Sequence, residues 1–213
     1  MINPIINASK RLYHTATVAL IICCLFLSAC QSTAPVVVEA PVEEQTQEPT
    51  PTILSPADRQ NYRHAQENLN GDKTAIDRAR SSLKQLSKRH RQHFGIKLNL
   101  ATAYYRQQQW DEAEKYCNQA MAINNTHPQV HNLKGLIAVE KRGIPLAERE
   151  YLIALTLDPD YANAHYNLAL LYDIYYQDIN KAYLHYLKYL NLVPDDEAVK
   201  GWVERLKYSV DQS

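Results

Sequence analysis

The chain has 213 residues, of which 46% are hydrophobic, and this length allows one substantial core with appended segments. Its 23 basic and 23 acidic residues cancel, so the composition gives no reason to propose nucleic acid or a strongly charged substrate as a ligand. Only five glycines accompany 15 tyrosines, which argues against a glycine-rich nucleotide-binding fold and favours amphipathic helices.

The N-terminus carries the pattern of a secretory signal. Lys10 and Arg11 precede an apolar run, TVALIICCLFL, at residues 17–27. This run is shorter than the roughly 20 residues that a membrane-spanning helix needs. A basic start, a short apolar run and small residues at its end predict a signal peptide that is cleaved. An uncleaved anchor and a plain secreted protein are the alternatives.

Leu27-Ser28-Ala29-Cys30 resembles the lipobox of bacterial lipoproteins, in which an aliphatic residue and two small residues precede a cysteine. Cys23 and Cys24 lie inside the apolar run and lack the small pair. The resemblance implies that residues 1–29 are removed and that Cys30 carries fatty acyl chains such as palmitate. Two or more chains anchor a protein durably, whereas one chain binds a bilayer only marginally. Gln31 after the cysteine implies sorting to the outer membrane of a Gram-negative-type cell, with the protein facing the periplasm.

Residues 30–54 follow as a tether between the lipid and the folded part. They contain four prolines and four glutamates but no basic and no aromatic residue. Such a segment cannot bury enough apolar surface to offset its loss of conformational entropy. We therefore predict a disordered, extended linker.

The chain beyond residue 54 has helical periodicity and internal repeats. Ser55-Pro56-Ala57-Asp58 is typical of a helix start and predicts a helix that runs to Asn70. A shift of 35 residues aligns His131–Leu133 with Tyr166–Leu168, and a shift of 34 aligns Ala113 with Ala147. Recurrence at such a period predicts stacked helix pairs.

These units resemble the tetratricopeptide repeat, which has a small residue in its first helix, an aromatic residue one turn later, alanines in its second helix and a closing proline. The clearest units are residues 99–124, 132–159 and 167–194. The resemblance implies an all-α solenoid of helix-turn-helix units stacked as a right-handed superhelix. The implied repeats are residues 55–91, 94–127, 128–160 and 161–194, followed by a capping helix and tail at residues 195–213.

In this family, partners bind the concave face, which is lined mainly by the first helix of each unit. The groove positions that the resemblance implies are Leu98, Asn99, Thr102, Tyr105, Arg106, Asn132 (with His131 as its alternative), Tyr166, Asn167, Leu170 and Asp173. Tyrosine, asparagine and arginine suit recognition of an extended peptide or a helix. Packing between repeats is the alternative role for each of these residues.

No catalytic or metal-binding constellation is evident in the sequence. The histidine pairs His90/His93 and His127/His131 lack the glutamate or cysteine partners of a zinc motif. Cys117 occupies a core position of its unit and is predicted to be buried and unreactive. We expect no enzyme activity, no metal and no cofactor.

Together these patterns predict a lipid-anchored periplasmic scaffold that binds protein partners for envelope assembly. Lipoproteins with such repeats resemble assembly factors for pili or secretion pores, which is the favoured interpretation. An adaptor for peptidoglycan-remodelling enzymes is the second interpretation, and an enzyme with an unrecognised site is the third.

Overall fold

The computed structural model describes residues 53–210, and every regular element in this range is helical. In chain order the described elements are α1 Pro56–Asn68, α2 Lys73–Arg89, α3 Phe94–Arg106, α4 Trp110–Ile123, α5 Pro128–Glu140, α6 Ile144–Leu157, α7 Ala162–Leu171, a π-helical turn Tyr172–Tyr176 (the π-turn), α8 Ile179–Leu192 and α9 Glu197–Val210. The predicted all-α fold is confirmed. The predicted signal peptide, Cys30 and most of the linker lie outside the described residues, whereas Leu54 at the linker's end is buried in the core.

Successive helices pack as hairpins that stack side by side. The hairpins are α1/α2, α3/α4, α5/α6 and α7/α8, and α9 packs on α8 at the end of the stack. The first helices also meet across hairpins, since α3 contacts α5 and α5 contacts α7. The stack therefore curves with its first helices on the inner face. Within residues 53–210, no helix combines the length and the apolar character needed to cross a bilayer.

Side-chain caps fix where several helices begin. Ser55 Oγ accepts a hydrogen bond from the Asp58 N–H at 3.1 Å, as its sequence pattern predicts. The side chains that accept in the same way at the starts of later helices are Asp72, His93, Asp178 and Asp196. Helix α1 ends at Asn68 and does not reach Asn70, because the N–H groups of Asn70 and Gly71 bond to carbonyls three residues back and tighten the last turn.

The repeat period changes within the last hairpin. The hydrogen bond that closes each first helix runs from the N–H of Gln109 to Tyr104 O, of Gly143 to Ala138 O, and of Asp178 to Tyr172 O, at 3.0, 2.8 and 2.9 Å. The acceptors are 34 residues apart in both intervals, whereas the donors are 34 and then 35 apart. One extra residue therefore lies between Tyr172 and Asp178, and the chain accommodates it as the π-turn.

This register differs by one residue from the alignment of His131–Leu133 with Tyr166–Leu168. In the structure His131 corresponds to His165, because the first helices α5 and α7 keep the 34-residue period. The 35-residue period applies only beyond the π-turn, where Ala147 corresponds to Ala182. A sliding alignment cannot place the extra residue, since it applies a single shift to both helices of a repeat.

Small residues let the helices of each hairpin approach closely. Ala113, Ala147 and Ala182 are fully buried at equivalent positions of the second helices. The tightest approach is at Gly135 on α5, where an added Cβ would lie 2.4 Å from a ring carbon of Tyr151. That ring is only 1% exposed and cannot move away without disturbing the core.

A buried polar side chain recurs every 34 residues in the first helices, as Lys97, His131 and His165. Each bonds to the preceding segment: Lys97 Nζ donates to Ser87 Oγ, His131 Nε2 to Asn125 O and His165 Nε2 to Pro159 O, at 2.7, 2.8 and 2.9 Å. Each also meets a second-helix side chain, which is Tyr116, Glu150 or His185 in turn. The position is thus kept in geometry while its chemistry varies.

The last of these pairs is sensitive to protonation. The Nδ1 atoms of His165 and His185 lie 3.0 Å apart, so only one of them carries the proton that joins the two rings. The His185 ring also stacks on Tyr172 at 5.7 Å between centroids. Burial, with the nearby His165 and Lys181 as smaller contributors, lowers the pKa of His185 to about 4.

Replacing Gly135 with alanine should destabilise the fold by about 1–3 kcal/mol, because the new methyl group overpacks the seam against Tyr151. The matched control is Gly201→Ala on α9, where an added Cβ meets nothing within 4 Å. That change should stabilise the protein by about 0.4–1 kcal/mol through a lower entropy of the unfolded chain. Urea unfolding of both variants measures the difference, and equal effects would contradict the assigned seam.

Stability should fall as the pH drops from 6.5 to about 4, because the unfolded chain binds a proton at His185 in this window and the folded chain does not. His185→Phe keeps an aromatic ring against Tyr172 and removes the titrating group, so its stability should fall less over this range. His64→Phe, on exposed α1, is the control and should leave the pH dependence unchanged. Thermal unfolding at several pH values tests this, and an unaltered slope in His185→Phe would refute it.

Candidate partner-binding groove

The inner face formed by α3, α5 and α7 (the groove) contains one small cleft with an apolar wall. The cleft has a volume of about 160 Å³, and its lining residues include Tyr105, Glu140, Leu170, Ile174 and Tyr175. Leu136 and Val139 of α5 form its floor together with Tyr151 of α6. Two larger hollows, of about 480 and 560 Å³, lie at the turns between helices and have mainly polar linings.

Three of the ten predicted groove residues meet in this cleft. Tyr105 reaches it from α3, and Asn167 and Leu170 reach it from α7. The Tyr105 ring is half-buried and packs against Trp110 at 5.3 Å between centroids. The cleft therefore spans three successive hairpins, because its walls come from α3, α5 and α7.

Other predicted groove residues join neighbouring repeats and do not line the cleft. Asn99 Nδ2 donates to Tyr62 Oη at 2.9 Å, and Asn167 Nδ2 donates to Asn132 Oδ1 at 2.8 Å. The Arg106 guanidinium donates to the backbone carbonyl of Leu69. These contacts correspond to the packing role that the sequence left as the alternative.

The remaining candidates are distributed along the first helices. Leu98 is 6% exposed, and the Thr102 hydroxyl donates to the Leu98 carbonyl within the same helix at 3.0 Å. Tyr166 packs against Tyr189 and Trp202, on the side of α7 that faces α8 and α9. Asp173 accepts a long hydrogen bond of 3.5 Å from the Tyr186 hydroxyl.

Glu140, Ile174 and Tyr175 line the cleft but were not among the predicted groove residues. Glu140 is the only charged residue in the lining of this cleft, and no described cation lies within ion-pair distance of it. Burial, and to a smaller extent the Glu140 charge, raises the pKa of Tyr105. The phenol is therefore neutral and available as a hydrogen-bond donor or acceptor at the mouth of the cleft.

The described residues hold no group of three or more histidine, cysteine or acidic side chains that could bind a metal ion. The histidines considered in the sequence have other partners: His90 bonds to Asp58, His93 caps α3, and His131 bonds to Glu150. Cys117 is fully buried, as predicted, and burial raises the pKa of its thiol to about 12. A thiol held in its protonated form is a poor nucleophile.

Comparison with known proteins identifies the repeat. Two family profiles described as tetratricopeptide repeat match the chain, at residues 73–137 and 132–173. None of the curated proteins compared with the chain is significantly similar to it in sequence.

Solved structures share this architecture. PilF of Pseudomonas aeruginosa superposes with a TM-score of 0.64 and 18% identity, over 73% of this chain and 70% of PilF. TTC0263, a tetratricopeptide protein of Thermus thermophilus, gives 0.56 and 22% identity, over 71% of this chain and 89% of its own. The first repeat domain of RPAP3, solved with the HSP90 peptide SRMEEVD, gives 0.51 and 16% identity over 55% of this chain and 95% of its own.

At these identities the likeness shows a common fold, and the two profiles supply the sequence signature. The matched residues 73–173 run from α2 to the π-turn and include the whole wall of the cleft on α3, α5 and α7. The chain is therefore a tetratricopeptide-repeat protein, a helical solenoid of the class that serves as a scaffold for protein interactions.

Proposed function

We propose that this protein is a lipid-anchored scaffold of the bacterial envelope that binds protein partners in its groove for the assembly of a pilus or a secretion system. The observation that carries the binding role is the cleft shared by α3, α5 and α7, where aromatic and aliphatic side chains remain open to solvent. Amphipathic side chains of this kind provide apolar contact area together with hydrogen-bonding groups.

The membrane location is supported by the sequence pattern around Leu27–Cys30. An acylated Cys30 would hold the repeats at a membrane surface, and residues 30–54 would set their distance from it. Gln31 supports the outer membrane as the destination. The proline- and glutamate-rich composition of the tether is consistent with a folded part that meets partners at some distance from the lipid.

Replacing Cys30 with serine should abolish labelling with radioactive palmitate and release the protein from the membrane fraction, because no thiol remains for acylation. Cys24→Ser is the matched control and should leave both unchanged, since Cys24 lies within the apolar run and lacks the small pair. Persistent membrane pelleting of Cys30→Ser would contradict lipid anchoring at this residue.

A photoreactive amino acid at Tyr105, in the intact protein in living cells, should crosslink to specific envelope proteins that mass spectrometry identifies. The same amino acid at Leu184, an exposed residue on α8 that does not line the groove, is the control and should give a different or weaker set. Components of a pilus or secretion machine would support the proposal. Peptidoglycan hydrolases would instead favour the second interpretation, and identical products from both sites would argue against a role for the groove.

A further inference from the structure

The π-turn changes the character of the inner face in the last repeat. At equivalent positions, 34 residues apart, the earlier repeats carry Arg106-Gln107 and Glu140-Lys141, whereas the last repeat carries Ile174-Tyr175. Ile174 is 60% exposed and Tyr175 is 42% exposed. Polar side chains are thus replaced by solvent-facing apolar ones at the turn that holds the extra residue.

Hydrogen bonds hold this turn in place. The hydroxyls of Tyr172 and Tyr176 donate to the two carboxylate oxygens of Glu148 on α6, at 2.6 and 2.8 Å. Lys181 Nζ lies 4.9 Å from the centre of the Tyr172 ring and pairs with Asp178 at 3.2 Å. The exposed apolar residues therefore stand on an anchored support, and single π-turns inside helices are frequent at functional sites.

The size of the cleft restricts what it can accept. Its volume of about 160 Å³ lies below the ~300–1,000 Å³ that is typical of small-molecule sites. A single bulky side chain of a protein segment suits this volume, with the exposed Ile174 and Tyr175 covering its neighbours. An apolar anchor in a pocket is the usual centre of a protein interface.

The charge at the cleft indicates what should flank such an anchor. Glu140 has no cationic partner among the described residues, while nearby Lys141 is engaged by Asp111 and Glu114. Arg106 is likewise occupied by the Leu69 carbonyl. A basic residue beside the anchor would pair with Glu140, whereas an acidic one would meet an uncompensated carboxylate.

We propose that the cleft beside the π-turn binds a partner segment through a bulky apolar side chain that is flanked by lysine or arginine. This inference rests on the proposed function and deepens it, because it gives the chemistry of the segment that the groove recognises. The anchor fills the cleft between Leu170 and Ile174, and the flanking cation pairs with Glu140.

Three fluorescein-labelled peptides test this with the full-length chain in a fluorescence anisotropy titration. SQKLFKQS carries both the apolar anchor and basic flanks, SQELFEQS reverses the flanks, and SQKSSKQS removes the anchor. The first should bind at least about fivefold more tightly than the second, as expected for one favourable charge pair against one repulsive pair. The third should not bind measurably.

Matched variants assign the effect to individual side chains. Glu140→Gln should remove the preference for basic flanks, and Glu204→Gln on α9 should not. Ile174→Ser should weaken binding of both anchored peptides by about tenfold. Leu184→Ser should leave it unchanged, although Leu184 and Ile174 are equally exposed at 60%.

Equal affinity for the basic and acidic peptides, no binding of any peptide, or full binding by Ile174→Ser would each overturn the inference. A concentration-dependent dimer in sedimentation that Ile174→Ser abolishes would assign the surface to a second copy of the chain and would also overturn it. If crosslinks from Tyr105 identify partner segments without basic residues, the proposed function stands and this inference falls. If no crosslink forms at all, both fall.

Discussion

The close approach of paired helices at small residues is the constraint on which the whole fold depends. Alanine at the buried face of each second helix, and glycine at position 135, leave room for a large side chain from the opposite helix. Interiors packed to this density tolerate few changes in volume. Because each hairpin buries its apolar side only against its neighbours, the stack gains its stability from a series of such seams.

The repeats, the helix type and most helix starts could be predicted from the sequence, because they follow from local rules. Alanine spacing, the cap at Ser55 and the closing Pro159 each act within one or two turns of helix. The buried state of Cys117 followed in the same way from its place in the repeat. Local signals suffice where a feature depends on residues that are near in sequence.

The candidate site was predictable only in part, and the missing part has a physical cause. Tyr105, Asn167 and Leu170 were placed in the groove by the repeat pattern, and they line the cleft. Glu140 and Ile174 were missed because the extra residue that aims the π-turn is invisible to a single sliding alignment. The change of period from 34 to 35 between Tyr172 and Asp178 was the signal that could have revealed them. Asn99, Asn132 and Arg106 look like ligand-binding residues by type, yet they hold neighbouring helices together.

The varied chemistry of the recurring buried polar position has a consequence for how the solenoid loses its structure. In the middle hairpin Glu150 supplies a carboxylate to His131 and Lys134, whereas the last hairpin sets one imidazole against another. In a linear array with nearest-neighbour coupling, the weakest link opens first and the remainder persists. Acidification would therefore fray this array from its C-terminal end, and the wall of the cleft on α7 would be lost while α3–α6 remain folded.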